Sequence, residues 1–244
     1  MQIDTLALRL RPRTQMEAAD LGARLCQSAA GSTFSCYAIA AVPVVLLTLA
    51  SSEVAAWLPV VAIWWAKPWL DRTILFVLAR AAFGQRTTPA DLMRELRDVW
   101  WTRLVFTMTV LRFSPWRSFT APVYQLEGLS IRAGSRRAHQ IRRRNIGSAA
   151  MTTCAFSLCE LALTTSLLSL LFWFAPPGRT PELGDPFFGD TPGILALALP
   201  IAYGLAVAYL EPFYVAAGFA MYLNRRAELE AWDIEQEFRR AFAQ

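Results

Sequence analysis

Two apolar runs, each long enough to cross a lipid bilayer, constrain this chain more than any other feature. Residues 146–175 carry one charged residue, Glu160, and residues 192–223 also carry one, Glu211. A helix of about 20 consecutive apolar residues spans the hydrocarbon core of a membrane. Two such runs in one chain therefore predict an integral membrane protein.

Two shorter apolar runs near the N-terminus predict a helical hairpin. Residues 34–50 contain no charge, residues 54–66 form the shorter run, and Glu53 lies in the turn between them. Tryptophans flank the second arm, as membrane-interface anchors do: Trp57, Trp64, Trp65 and Trp69. The predicted fold class is all-α, a polytopic helical membrane protein with about four transmembrane helices plus interfacial and cytosolic amphipathic helices.

The composition predicts a cytosolic part as well as a membrane part. The chain has 244 residues, of which 55% are hydrophobic and 18% charged. It is too apolar for an ordinary soluble domain, yet too charged to lie wholly in lipid. The net charge is +5 and Lys67 is the only lysine. Anionic lipid headgroups and cytoplasmic loops explain an arginine excess more simply than nucleic acid does, so we expect lipid contacts and no nucleic-acid partner.

A cluster of arginines before the third apolar run sets the predicted topology. Its members are Arg132, Arg136, Arg137, Arg142, Arg143 and Arg144. Loops rich in arginine stay in the cytosol, which places both chain ends there too. The same arginines are expected to contact anionic lipid or to dock the acidic tail, whose carboxylates are Glu228, Glu230, Asp233, Glu235 and Glu237.

The whole chain is predicted to be one helical membrane domain. Its cytosolic and interfacial parts are an arm and helix at 1–33, helices within 67–145, and an amphipathic tail helix at 224–244. Its membrane parts are the hairpin at 34–66 and spans at 146–175 and 192–223, with an outer loop at 176–191.

The two acids at membrane depth, Glu160 and Glu211, are the candidate functional residues. A carboxylate in the bilayer is costly and is normally protonated, paired or turned toward water. The two acids lie on helices joined by one loop, so we expect them to be neighbours, and one interpretation is a proton or cation site. In the alternative, each acid pairs with an arginine of an interfacial segment, Arg80 or Arg112, and holds that segment to the bundle.

Sequence motifs for catalysis and cofactor binding are missing. The chain has no P-loop, no Rossmann glycines, no HExxH and no GxSxG. Its four cysteines form no CxxC pair, and its one histidine, His139, lies among the arginines, which gives a metal site poor support. We therefore expect no enzyme activity, no metal and no cofactor.

The stretch EPFYVAAGFAMYLNRRAELEAWDIEQEFRR, residues 211–240, resembles the C-terminal signature of a family of uncharacterised proteobacterial inner-membrane proteins. RPRTQMEAADLGARL, WWAKPWLDRTILFVLARAAFG and RSFTAPVYQLEG are similar to that family too. The matching signature positions are Asn224, Arg225, Arg226, Glu230, Trp232, Asp233 and Glu235. There is also a distant likeness to the membrane domain of some glycerophosphodiester phosphodiesterases, which carries no catalytic residues.

The resemblance implies a genomic context rather than a reaction. Genes of that family lie beside those of a MoxR-type AAA ATPase and a transglutaminase-like membrane protein. The first functional hypothesis is therefore a noncatalytic scaffold or accessory subunit of the bacterial inner membrane that docks protein partners, with a homo-oligomer left open. The second is a small transporter or channel that uses Glu160 and Glu211. A third, a membrane enzyme acting on lipid, has only the interfacial arginines in its favour.

Overall fold

In a computed structural model, the structure describes residues 13–174 and 193–230, and all regular structure in that part of the chain is helical. The helices are α1 (Gln15–Ser28), α2 (Ala30–Leu49), α3 (Leu58–Ala81), α4 (Pro89–Trp101), α5 (Leu104–Thr109), α6 (Arg117–Leu126), α7 (Ile131–Arg142), α8 (Ile146–Trp173) and α9 (Gly193–Glu230), with a 3₁₀ turn at Ala50–Glu53. The predicted all-α class is confirmed for these residues.

Two helices begin with a capping box. At α1, the Thr14 hydroxyl accepts from the Glu17 N–H, and the Glu17 carboxylate accepts from the Thr14 N–H, both at 3.3 Å. At α4, Thr88 and Asp91 make the same reciprocal pair, and Pro89 occupies the first turn. Each box satisfies N–H groups that have no partner inside the helix.

The long helix α9 is the centre of the bundle and contacts α1, α2, α3, α6 and α8. Its buried residues include Phe219, Met221 and Tyr222, which share one apolar core with Ile74 of α3 and Phe119 of α6. Helix α1 approaches α9 closely at Gly22, where an added Cβ atom would clash with the backbone oxygen of Ala216. A glycine is therefore required for the two helix backbones to touch.

Three helical segments are long and apolar enough to cross a membrane: Ala30–Glu53, Ile146–Leu170 and Leu197–Glu230. In its most apolar window, the last is 72% buried inside the bundle, whereas the middle one is 6% buried. Apolar side chains that face outward along a whole helix are typical of contact with lipid. These helices suggest membrane association. The second arm of the predicted hairpin is not among them, and the count of four spans stays a prediction.

The structure differs from the sequence prediction at α3. The sequence predicted that the second arm of the hairpin ends at residue 66 and that separate interfacial and cytosolic helices lie within 67–145. Instead α3 is continuous from Leu58 to Ala81, with Pro68 inside it and Lys67, Asp71 and Arg72 buried. The helix accommodates these charges because each has a partner. Arg72, for example, donates to the carbonyl oxygens of Val99 and Thr102 at 2.5 Å.

A break between α4 and α5 places the next segment against the bundle. Arg103 has φ 58, a left-handed conformation that ends α4 and starts α5 in a new direction. Its guanidinium stabilises this geometry by donating to the carbonyl oxygens of Tyr124, at 2.9 Å, and Leu129. Arg112 then lies in the turn that joins α5 to α6.

Candidate functional site

Five charged residues from four helices meet inside the bundle, four of them buried and Glu160 partly buried, and we call them the charge cluster. Lys67 and Asp71 come from α3, Arg117 from α6, Glu160 from α8 and Glu211 from α9. Lys67 and Asp71 are one helical turn apart, so they share a face of α3. The cluster joins helices that are far apart in sequence.

The two cations of the charge cluster each bridge two acids. Lys67 Nζ lies 2.5 Å from Glu160 Oε2 and 2.8 Å from Glu211 Oε2. Arg117 Nε lies 2.9 Å from Asp71 Oδ2, and Arg117 also pairs with Glu211. The Glu160 side chain is the most accessible of the five at 14%, and that of Glu211 the least at 2%. Glu211 thus forms ion pairs with both cations, while the Glu160 side chain is partly exposed at the protein surface.

The structure brings Glu160 and Glu211 together, as predicted, but their partners are not the predicted Arg80 or Arg112. Arg80 lies 3.3 Å from Glu95, and Arg112 makes no ion pair with either acid among the described residues. The partners are Lys67 and Arg117 instead. Sequence reasoning missed Lys67 because it was interpreted as the end of a span. The spacing of Lys67 and Asp71 on one helical face was the signal that pointed inward.

The charge cluster has one more acid than it has cations. Asp71 Oδ2 lies 2.9 Å from Arg117 Nε, but neither Asp71 oxygen accepts a hydrogen bond among the described residues. Three carboxylates beside two cations leave one negative charge in excess, and like charges in a buried site favour the uptake of a proton. The cluster is therefore able to take up one proton and become neutral.

A cavity of about 810 Å³ borders the charge cluster. Its walls come from α3, the α5–α6 turn, α6, α8 and α9, and Lys67, Glu160, Glu211 and Tyr203 line it. Small-molecule sites are mostly apolar clefts of about 300–1,000 Å³ with a few polar groups, and this cavity has both the size and the lining of one.

Arg112 is a third cation in the cavity wall. It is 8% exposed, and its guanidinium carbon lies 3.3 Å from the centre of the Trp64 ring. Burial, with Arg117 as a second cause, lowers the pKa of Arg112 to about 10, so it is still charged at neutral pH. Among the described residues, no carboxylate lies within 4 Å of it and no hydrogen bond reaches it.

The arginine cluster of α7 makes one connection to the end of α9. Arg137 Nε lies 3.3 Å from Glu127 Oε2, and Arg137 also pairs with Glu230. The Arg142 guanidinium lies over the Trp116 ring at 4.2 Å. The remaining members are exposed: Arg132, Arg136, Arg143 and Arg144. One predicted tail acid, Glu230, thus contacts the cluster, whereas Asp233, Glu235 and Glu237 lie outside the described residues.

The residues of the C-terminal signature fold onto their own helix and onto the chain before α1. Asn224 donates to the Arg13 carbonyl oxygen at 2.9 Å. Arg225 pairs with Glu228 at 2.7 Å, and Arg226 with Glu230 at 3.0 Å. Trp232 and Asp233 lie outside the described residues. The described part of the signature therefore links the end of α9 to the start of α1.

Among the described residues, no group of three or more His, Cys, Asp or Glu side chains is arranged so that it could hold a metal ion. Cys26 and Cys36 are buried, Cys154 and Cys159 are exposed on α8, and all four are free thiols. His139 is exposed on α7. The charge cluster and its cavity are thus the most elaborate polar site in the described part of the chain.

Comparisons of the chain with protein-family models, with curated proteins and with solved structures found no match.

Proposed function

We propose that the chain is a polytopic membrane protein of the small transporter or channel class, with Glu160 and Glu211 as an intramembrane proton site. The observation that carries this proposal is the charge cluster in the wall of the cavity. Ionisable side chains within membrane helices are rare because they are costly, and they commonly mark ion and proton paths. Buried ion pairs alone contribute little net stability over apolar packing.

The proposed path of the proton runs from Glu160 to Glu211. Glu160 has the most exposed side chain of the charge cluster and lines the cavity, so a proton in the cavity reaches it first. When Glu160 is protonated, Lys67 loses one of its two acids and remains paired with Glu211 at 2.8 Å. Lys67 therefore links the charge of one acid to that of the other.

The proposed setting is the bacterial inner membrane, with several spans and both chain ends in the cytosol. Three candidate spans support it, and the N-terminal half of α3 would be the fourth. The arginines at 132–144 precede the span at 146, as cytosolic loops do. The link to a MoxR-type ATPase system comes from the sequence resemblance and is part of the proposal.

Proton flux in liposomes tests this function. The purified chain is reconstituted with a pH-sensitive dye inside the vesicles, and a potassium diffusion potential drives protons inward. Glu160→Gln keeps the shape of the side chain and removes its charge, so proton entry should fall to the rate of protein-free vesicles. Glu53→Gln is the matched control, because Glu53 is exposed and remote from the cavity lining. Equal entry in wild type and Glu160→Gln, or no entry above protein-free vesicles, would refute the proposal.

A second candidate function is a noncatalytic scaffold, and a second surface favours it. An apolar groove of about 570 Å³ lies between α3 and the α4–α5 segment, with Trp65, Trp69, Trp101 and Met108 in its walls. Trp101 is 66% exposed, and exposed aromatic side chains are common anchors for protein partners.

The scaffold proposal takes as the partner a MoxR-type ATPase, the protein that the sequence resemblance implies. The tagged full chain and the purified ATPase are mixed in detergent and re-isolated on the tag. Deletion of Leu229–Gln244 and the variant Trp101→Ser should each reduce the recovered ATPase, whereas Glu53→Gln should not. Recovery that neither change reduces would count against a docking role.

A further inference from the structure

The cavity beside the charge cluster contains a cation that the cluster does not use. Arg112 lines the cavity and is more than nine-tenths buried. Among the described residues it makes no hydrogen bond and no ion pair within 4 Å, and its guanidinium lies on the face of Trp64. A buried guanidinium without hydrogen bonds is costly. A bound anion would satisfy it, because the planar guanidinium donates in parallel to two oxygens of a carboxylate or phosphate.

The rest of the cavity is suited to a hydrocarbon chain. Its walls include Val60, Val61, Phe113, Leu161 and Leu199. Phe113 is 69% exposed and Leu161 is 61% exposed, so the cavity is open on that side of α8. Only 6% of the most apolar window of α8 is buried inside the protein. In a membrane, the opening of the cavity on this side therefore faces lipid.

From these two features we infer that the cavity binds an anionic amphiphile, with the acid head on Arg112 beside Trp64 and the acyl chain along the apolar wall toward Leu161. The assignment rests on the proposed function, since the amphiphile would be the cargo of that cavity. Glu160 and Glu211 also line the cavity and would repel an anion placed next to them. Both acids are paired with Lys67, so the nearest cation of the charge cluster is already occupied. Among the described residues, Arg112 is a cavity cation with no ion pair, so an added negative charge is attracted to it.

Binding of lysophosphatidic acid to the purified full chain tests the inference. The protein is held in a non-ionic detergent and binding is followed by isothermal titration calorimetry. Monoacylglycerol with the same acyl chain lacks the anionic head, and inorganic phosphate lacks the chain. Lysophosphatidic acid should bind more tightly than either. Equal binding of monoacylglycerol would refute the anionic head group, and binding of inorganic phosphate as tight as that of the lipid would refute the amphiphile.

Arg112→Gln should weaken the binding of lysophosphatidic acid by about ten- to a hundredfold, since a hydrogen bond to a charged group is lost. Arg112→Lys keeps the charge but cannot donate in parallel to two oxygens, so its affinity for lysophosphatidic acid should lie between those of the wild type and of Arg112→Gln. Arg94→Gln is the matched control, because Arg94 is exposed and loses the same charge. Wild-type affinity in Arg112→Gln would overturn the assignment.

A cavity-filling variant guards against a folding defect in Arg112→Gln. Ser157 lines the cavity and is exposed on α8, so Ser157→Trp should occlude the acyl path while leaving Arg112 in place. Ser157→Trp should also weaken the binding of lysophosphatidic acid, and an unchanged affinity would contradict the inference. Proton entry that depends on Glu160, found together with no lipid binding, would refute this ligand and leave the proton site standing. Lipid binding without proton flux would support the ligand and refute the proton site.

Discussion

Lys67 on α3 donates a 2.5 Å hydrogen bond to Glu160 on α8, across 93 positions of sequence. The same ammonium group lies 2.8 Å from Glu211 on α9. One lysine therefore holds three helices that contribute the walls of the cavity. Lys67 is the only cation paired with Glu160 among the described residues, and it is the second cation of Glu211, which also pairs with Arg117. It therefore lowers the cost of placing both acids in the interior.

Lys67→Met is expected to destabilise the protein by about 3–5 kcal/mol, since it leaves buried charges without their partner. Thermal unfolding in detergent measures the effect. The double variant Lys67→Met with Glu160→Gln should recover part of the loss, because Glu211 still has Arg117. Arg94→Met serves as the control, since its side chain is 80% exposed and an exposed pair contributes about 0–1 kcal/mol. Equal melting of Lys67→Met and Arg94→Met would contradict a structural role for Lys67.

Gly22→Ala is expected to destabilise the contact between α1 and α9. Its Cβ would lie 2.2 Å from a backbone oxygen of Ala216, and backbone has little freedom to move. Overpacking of this kind costs about 1–3 kcal/mol. Gly147→Ala at the start of α8 is the matched control, because nothing lies within 4 Å of its Cβ position, and alanine favours a helix by up to about 1 kcal/mol. Thermal unfolding in the same detergent compares them, and a stability of Gly22→Ala equal to that of Gly147→Ala would refute the close approach.

The sequence predicted the parts of this fold that depend on local chemistry. The apolar runs at 146–175 and 192–223 correspond to α8 and α9. This signal is local because an apolar run acts within one helix.

The partners of the two acids could not be predicted from the sequence, because an ion pair between helices depends on tertiary packing. Lys67 and Asp71 interrupt an apolar run, which is also what a segment at the membrane surface does. Arg117 follows a proline-containing break and gave no signal of its own. Only the packing of α6 against α9 places Arg117 beside Glu211.

Arg137→Ala is expected to loosen the junction between α7 and the end of α9. Arg137 contacts Glu127 before α7 and Glu230 at the end of α9. With its side chain 23% exposed, its loss should cost about 1 kcal/mol and raise amide hydrogen exchange of residues 131–142. Arg136→Ala is the control, because Arg136 is exposed and its substitution removes the same charge. Exchange that rises equally in both variants would point to net charge rather than to this contact.

Nitroxide labels on the native thiols of α8 should report lipid on the outer face of that helix. Cys154 and Cys159 are exposed, whereas Cys26 and Cys36 are buried, and burial raises the pKa of the Cys26 thiol to about 11. Since the thiolate is the reactive form, labelling should select the α8 positions. In liposomes, each label should relax more with oxygen, which dissolves in lipid, than with a water-soluble nickel chelate. Met93→Cys on α4, with Cys154 and Cys159 changed to alanine, should show the opposite order, because Met93 is exposed in a helix outside the candidate spans. A nickel effect at Cys159 as large as that at position 93 would place α8 in water and contradict the membrane span.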